Sequence, residues 1–236
     1  MTTVQQLYEA MQRIAPLELA ESWDNPGLLV DCAGEVTRVL VTLDITPEVV
    51  TEAAAKYCEA IVAHHPVIFD PLKKLGPQDV PFQLVRVGIS AICMHTNLDA
   101  AEGGVNDCLA CTLGLQDTKP LNEEKIGRIG TLSCAKPLEQ FLSDVVKLLS
   151  CNGLRYRDGG RPVHRVAVGG GACGEYIPQA IAQGCDTFVT SDLRYKDFLD
   201  TQGLNLIDAG HFPTEDVVCQ EIVRRLRETF PELEVT

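Results

Sequence analysis

The sequence predicts an α/β fold built from a duplicated α/β unit with largely parallel sheets. Three observations carry this. β-rich runs alternate with helical patterns along most of the 236 residues, the signature of βαβ units. The second half repeats the first: Arg38-Val39-Leu40-Val41 lies over Arg165-Val166-Ala167-Val168 at an offset of 127, and the same offset sets Ala63-His64-His65 over Thr190-Ser191-Asp192. After a shortening of 14 residues, Ile92-Cys93-Met94-His95 lies over Asn205-Leu206-Ile207-Asp208, and Glu102 over Glu215. Finally, polar residues collect just past the expected strands, where open parallel sheets place their sites. The division expected is 1–125 for the first α/β half and 126–236 for the second.

Residues 3–14 form an amphipathic helix, with Val4, Leu7, Tyr8, Met11 and Ile14 at helical spacing. The string WDNPGLLV (23–30) is a turn feeding a strand and holds the only Trp. It suits either an aromatic plug or the rim of a site. Residues 38–44 are β-rich. Thr46, Pro47 and Glu48 supply an N-cap, an N1 proline and an early acid for a helix to about residue 57. The next strand delivers His64-His65, and Pro66 closes it by pushing His65 out of helical geometry. A helix over 81–87, a strand over 91–94 and a loop over 95–99 follow. Gly103-Gly104 then opens a helix ending near Leu113-Gly114. A short connector, 116–125, precedes the second half. There the pattern gives strands over 129–133, 163–168, 187–190 and 204–207. Helices are expected over 137–149, 176–183, 195–199 and 213–229.

Composition narrows the function. Twenty Lys+Arg against 33 Asp+Glu give a net charge of −13 without basic runs, which argues against nucleic acid, whose binding needs clustered cations. The first residues lack a basic region followed by an apolar core, and no apolar run reaches a membrane span. The ten cysteines are scattered, often inside apolar elements, as small core residues would be. A cytoplasmic location without membrane attachment is expected.

The chemistry-bearing residues lie beyond strands: His64 and His65, His95 and Asp99, Ser191 and Asp192, then Asp208 with His211 and Glu215. Taken together, His64, His65, Asp99, His211 and Glu215 offer three imidazoles and two carboxylates. A single catalytic zinc takes about three protein ligands, so five donors suit two ions better. The plain alternative is a set of separate strand-end polar residues. Two ions sharing a water make it hydroxide near neutral pH, a nucleophile for carbonyl, amidine or phosphoryl centres.

The strings WDNPGLLV (23–30), AHHPVIF (63–69), HTNLDAAEGGVND (95–107) and GHFPTE (210–215) resemble the GTP cyclohydrolase 1 type 2 family, also described as dinuclear-metal-centre hexameric proteins. The resemblance covers nearly the whole chain, with the motifs in family order. It implies a toroidal homohexamer with two divalent metal ions per subunit in the cleft between the halves. Residues matching His64, His65, Asp99, His211 and Glu215 would hold the ions, with the glutamate bridging. His95 would stand beside the centre as a catalytic proton-transfer group. Many members carry an extra domain between the halves, which the short connector here replaces. Imidazole and carboxylate donors suit iron, zinc or manganese alike.

Three weaker signals compete. The segment 169–174 fits G-x-G-x-x-G between a strand and a helix, as a nicotinamide site, a substrate-phosphate loop or a tight turn would. Cys108 and Cys111 form a lone C-x-x-C, better read as core filling than as a zinc site. Ser191 lacks nucleophile-elbow glycines. The leading expectation is a dinuclear-metal-dependent hydrolase acting on a nucleotide or other small substrate through a metal-bridged hydroxide. The rival is a non-catalytic metal-binding ring protein serving assembly, metal handling or regulation.

Overall fold

The structure, a computed structural model, describes all 236 residues, Met1–Thr236. The first part of the chain runs β1 (Thr2–Thr3), α1 (Val4–Ile14), β2 (Gly27–Val30), β3 (Glu35–Val36), β4 (Arg38–Thr42), α2 (Pro47–Ala55), β5 (Ala60–Ala63), α3 (Val80–Val87), β6 (Ser90–Cys93) and α4 (Thr96–Ala100). It continues with α5 (Val105–Thr112), β7 (Gln116–Pro120), β8 (Arg128–Lys136), α6 (Leu138–Leu148), β9 (Arg155–Arg157), β10 (Val163–Val168), α7 (Ile177–Ala182) and β11 (Thr187–Thr190). The last elements are α8 (Tyr195–Asp200), β12 (Asn205–Asp208), α9 (His211–Glu215), α10 (Val217–Thr229) and β13 (Glu234–Val235). No helix is long and apolar enough to cross a membrane.

By contacts the chain forms two compact units, Met1–Glu102 with Cys219–Thr236, and Gly103–Val218. This division differs in kind from the sequence repeat, because the C-terminal residues return to the first unit: β13 pairs in parallel with β4.

The first unit holds a five-stranded sheet in the order β13-β4-β5-β6-β2. Strands β4, β5 and β6 are parallel, and β2 closes one edge antiparallel to β6. The helices α2 and α3 make the crossovers. Thr46 caps α2 by accepting a hydrogen bond from the Val49 amide, with Pro47 at the first helical position. Because β5 is covered on both faces, all four of its residues are buried, which is why it is a continuous apolar run. Ile61 and Ala63 pack with Leu40, Leu84, Ala91 and Cys93. Helix α1 starts on a reciprocal capping box between Thr3 and Gln6, in which each side chain satisfies the other's amide.

The second unit holds a six-stranded sheet in the order β7-β8-β10-β11-β12-β9. Its centre, β10-β11-β12, is parallel, while β7, β8 and β9 add antiparallel edges. The largely parallel character thus holds for the first sheet and for the centre of the second. Side chains alternate across the strands. Val166, Val168, Val189 and Ile207 face Phe141 and Val145 of α6. Ala167, Phe188 and Leu206 face Ile177 and Ala180 of α7. Each fully buried large side chain of this kind contributes roughly 1.5–3 kcal/mol.

Several boundaries differ from expectation. Residues 96–100 are helical rather than loop, because Asp24 accepts from both the amide and the hydroxyl of Thr96. The final helix starts at His211, with Pro213 tolerated in its first turn, and a break at Asp216 separates α9 from α10. The connector over 116–125 contains β7, an exposed edge strand whose Asp, Lys and Pro carry no hydrophobic signal. Cys108 is half-buried and Cys111 exposed, so the C-x-x-C pair does not fill the core as expected.

Candidate metal centre

In the first unit, β5 ends at Ala63 and releases His64 and His65 into a turn. His64 is fully buried, and its Nδ1 lies 2.8 Å from the Met94 carbonyl oxygen. A carbonyl only accepts, so His64 carries a proton on Nδ1, which leaves Nε2 as the ring atom that could take a ligand. Neighbouring His65 makes the corresponding bond at 2.7 Å to the Asp44 carboxylate, and His95 makes it at 2.8 Å to Asp24. The three rings converge, with centroids 4.8, 5.2 and 5.5 Å apart. Their ligand atoms lie within 4.8 Å of one another, a group that could hold a metal ion. The Asp99 carboxylate stands 3.7 Å from His64 Nε2.

Asp24 has no exposed side-chain surface. Burial alone would raise its pKa, but the hydrogen bonds from His95 and Thr96 and the charge of His95 outweigh this and bring it to about 2. It is thus a fixed anion behind His95. The sequence reading missed both Asp24 and Asp44 as partners of the histidines. The available signal was positional: Asp44 follows β4, the parallel neighbour of β5.

In the second unit, Gly210 opens α9 at φ +88°, and His211 and Glu215 stand one helical turn apart. His211 Nε2 is 3.0 Å from the Glu215 carboxylate, and Nδ1 is 2.5 Å from Asp192. Hydrogen bonding to Glu215 is the main cause that raises the His211 pKa to about 9. Burial opposes the shift, and Asp192 adds to it. A cation held at Nε2 would have to displace a proton. Asp208 does something else. It pairs with Arg155 and accepts from the amides of Leu193 and Gly210, which fixes the loops on either side of β12.

Most amides of the glycine segment 169–174 are already engaged within the protein. Gly170 donates to Asn106 Oδ1, Gly171 to Thr214 Oγ1, and Cys173 to Thr190 Oγ1. These bonds favour the tight-turn reading over a nicotinamide or phosphate loop. The glycines serve a close approach instead. A Cβ on Gly171, at φ +64°, would fall onto the Glu215 carboxylate and 3.2 Å from His211 Nε2. Ser191 is buried and its hydroxyl has no hydrogen-bonding partner, unlike a serine nucleophile paired with its base.

Strand-end imidazoles anchored through Nδ1, together with nearby carboxylates, define an α/β protein with residue groups able to hold a metal ion. The chain belongs to the Duf34/NIF3 (NGG1p interacting factor 3) family, whose model matches residues 2–236. A Nostoc sp. protein described as a GTP cyclohydrolase 1 type 2 homolog is 35% identical over 231 residues, covering 88% of each chain. NGG1-interacting factor 3 of Saccharomyces cerevisiae is 29% identical over 256 residues, covering 93% of this chain and 84% of its own. Among solved structures, a Staphylococcus aureus hypothetical protein matches with a TM-score of 0.91 at 29% identity, covering 100% of this chain and 96% of that one.

Proposed function

We propose that this protein is a dinuclear-metal-dependent hydrolase acting on a nucleotide or other small substrate. In this reading His64, His65, Asp99, His211 and Glu215 would hold the ions. The donor set fits: anchoring Nδ1 of His64, His65 and His211 leaves Nε2 of each as the ligand atom. When bound, two divalent ions supply Lewis-acid polarisation and a water activated near neutral pH.

The chain's own residues do the rest. Met94, Asp44 and Asp192 hold the rings in one tautomer and orientation. His95, fixed through Nδ1 by Asp24, moves a proton at Nε2. Ring opening of an amidine-like carbon needs such an acid to protonate the departing nitrogen, which agrees with the cyclohydrolase names of the relatives. A homohexameric ring and a cytoplasmic setting belong to the same reading, and native mass spectrometry tests the assembly.

The observation that carries the proposal is that His64, His65 and His211 each have Nδ1 already bonded, with the carboxylates of Asp99 and Glu215 beside Nε2 of His64 and His211. To test it, purified protein with its native metals quantified is incubated with a metabolite pool beside the His64→Ala variant. Wild type should deplete one compound, while the variant loses both metal and turnover. Turnover surviving in a metal-free His64→Ala protein would sink the mechanism.

A further inference from the structure

The turn WDNPG leaves an unexplained feature, an indole in water. Trp23 is 58% exposed and Phe69 48% exposed, although large aromatic side chains usually bury much of their surface. Their ring centroids lie 5.9 Å apart at an interplanar angle of 55°. His95 meets Trp23 at 6.2 Å and 76°, and Phe69 at 6.3 Å and 80°. The three rings are therefore in mutual tilted or edge-to-face contact, with the less exposed imidazole on the inner side of the two outer rings.

The exposed rings are also held in place. Asn25 Nδ2 donates to the Ile68 carbonyl at 2.6 Å, which ties the turn after Trp23 to the residue before Phe69. Asp24, between Trp23 and Asn25, is bonded to His95 and Thr96. The chain beside both rings is thus tied down before any ligand arrives, which lowers the ordering cost of binding.

We propose that Trp23 and Phe69 form a stacking platform for a flat heteroaromatic ring of nucleobase size, which they hold against His95. The chemistry selects this class. An exposed indole face binds any π-face of matching size. The 55° tilt excludes a parallel sandwich, so the ligand stacks on one ring and meets the other at its edge. A ring seated there has its edge beside His95, the group that moves the proton in the reading above. The substrate class assigned here rests on that reading, whereas the platform itself can be tested without turnover.

Trp23 is the only tryptophan, so fluorescence excited at the red edge, where tyrosine does not absorb, reports on the platform alone. The probes are guanosine and ribose 5-phosphate, added to metal-quantified wild-type protein and to Phe69→Ala. Guanosine should quench Trp23 saturably and ribose 5-phosphate should not. Phe69→Ala should bind guanosine roughly 5- to 150-fold more weakly, the range expected for losing one aromatic contact to a base, at unchanged metal content. Trp23→Phe should restore catalytic turnover that Trp23→Ala loses.

No saturable quenching by guanosine, or equal affinity in Phe69→Ala, would overturn the platform. An emission shift on diluting the protein alone, together with a fall in assembly mass, would also overturn it by assigning the rings to a contact between copies. Saturable quenching in a protein that hydrolyses nothing supports the platform and rejects the hydrolase reading, so the two can fail separately.

Discussion

The two sheets share a frame and differ in what they hang on it. Strands β4-β5-β6 and β10-β11-β12 are each parallel, in the same order, and each carries an antiparallel strand beside its third member, β2 or β9. At their ends the roles are exchanged. In the first unit, the strand-end residue His65 is the imidazole, and Asp44 after the neighbouring strand holds it. In the second, the corresponding strand-end residue is Asp192, and it holds His211. The offset of 127 also puts Gly171 where Asp44 stands, and that glycine makes room for Glu215. A duplicated scaffold can therefore present imidazole–carboxylate pairs from both copies without repeating the same residues.

The largest effect expected concerns the metal itself. A ligand bound at a thousandfold excess over its Kd stabilises a fold by about 4 kcal/mol. Chelated protein should therefore melt well below the reloaded form. His64→Ala and Glu215→Gln, one from each unit, should each abolish that difference in calorimetry. If only one of them did, the two units would not be equal contributors.

Exchanged roles make a sharper demand on the two aspartates. Asp44→Asn and Asp192→Asn both remove a carboxylate behind a ring, a change that costs about 10- to 100-fold in metal affinity. Competition with a chromophoric chelator should find similar losses for the two variants. A large loss in one and none in the other would break the comparison.

Much of the fold was legible because its signals are local. The caps of α1 and α2 and the apolar runs of β5 and β11 lie within a few residues of the elements they define. Helix α4 was not legible, because the group that organises its first turn is Asp24, distant in sequence. The candidate metal residues were legible because adjacent histidines and a His-x-x-x-Glu spacing stand out chemically. Their supports were not, since which aspartate backs which ring depends on strand neighbours. The glycine segment is ambiguous for the converse reason: its pattern matches a phosphate loop, but Asn106, Thr190 and Thr214 take three of its amides.

Gly171→Ala tests the room that this glycine leaves for Glu215. The substitution puts a Cβ against Glu215 at a positive φ, and the left-handed conformation alone costs roughly 1–2 kcal/mol. Both thermal stability and metal content should fall. Ala in place of Gly184, also at positive φ but with open space around it, should cost similar stability and leave metal untouched. Equal metal loss in the two variants would show that Gly171 acts through backbone strain and not through the space it leaves for Glu215.

The smallest effect concerns α10, the helix by which the chain returns to the first unit. In α10, Arg224 and Arg225 both hydrogen-bond Glu221. The bond from Arg224 is the largest influence lowering the Glu221 pKa to about 2, against a weaker rise from burial. A depressed carboxylate pKa stabilises the fold above the unfolded value of about 4.3, and the contribution disappears as pH falls through about 2. Because the Arg224 side chain is 54% exposed, solvent screening keeps the gain small. Urea unfolding of Glu221→Gln should show a slightly lower midpoint than wild type at pH 7, with the gap narrowing steadily below pH 4. A gap that stayed constant with pH would mean that Glu221 stabilises α10 through packing rather than through its charge.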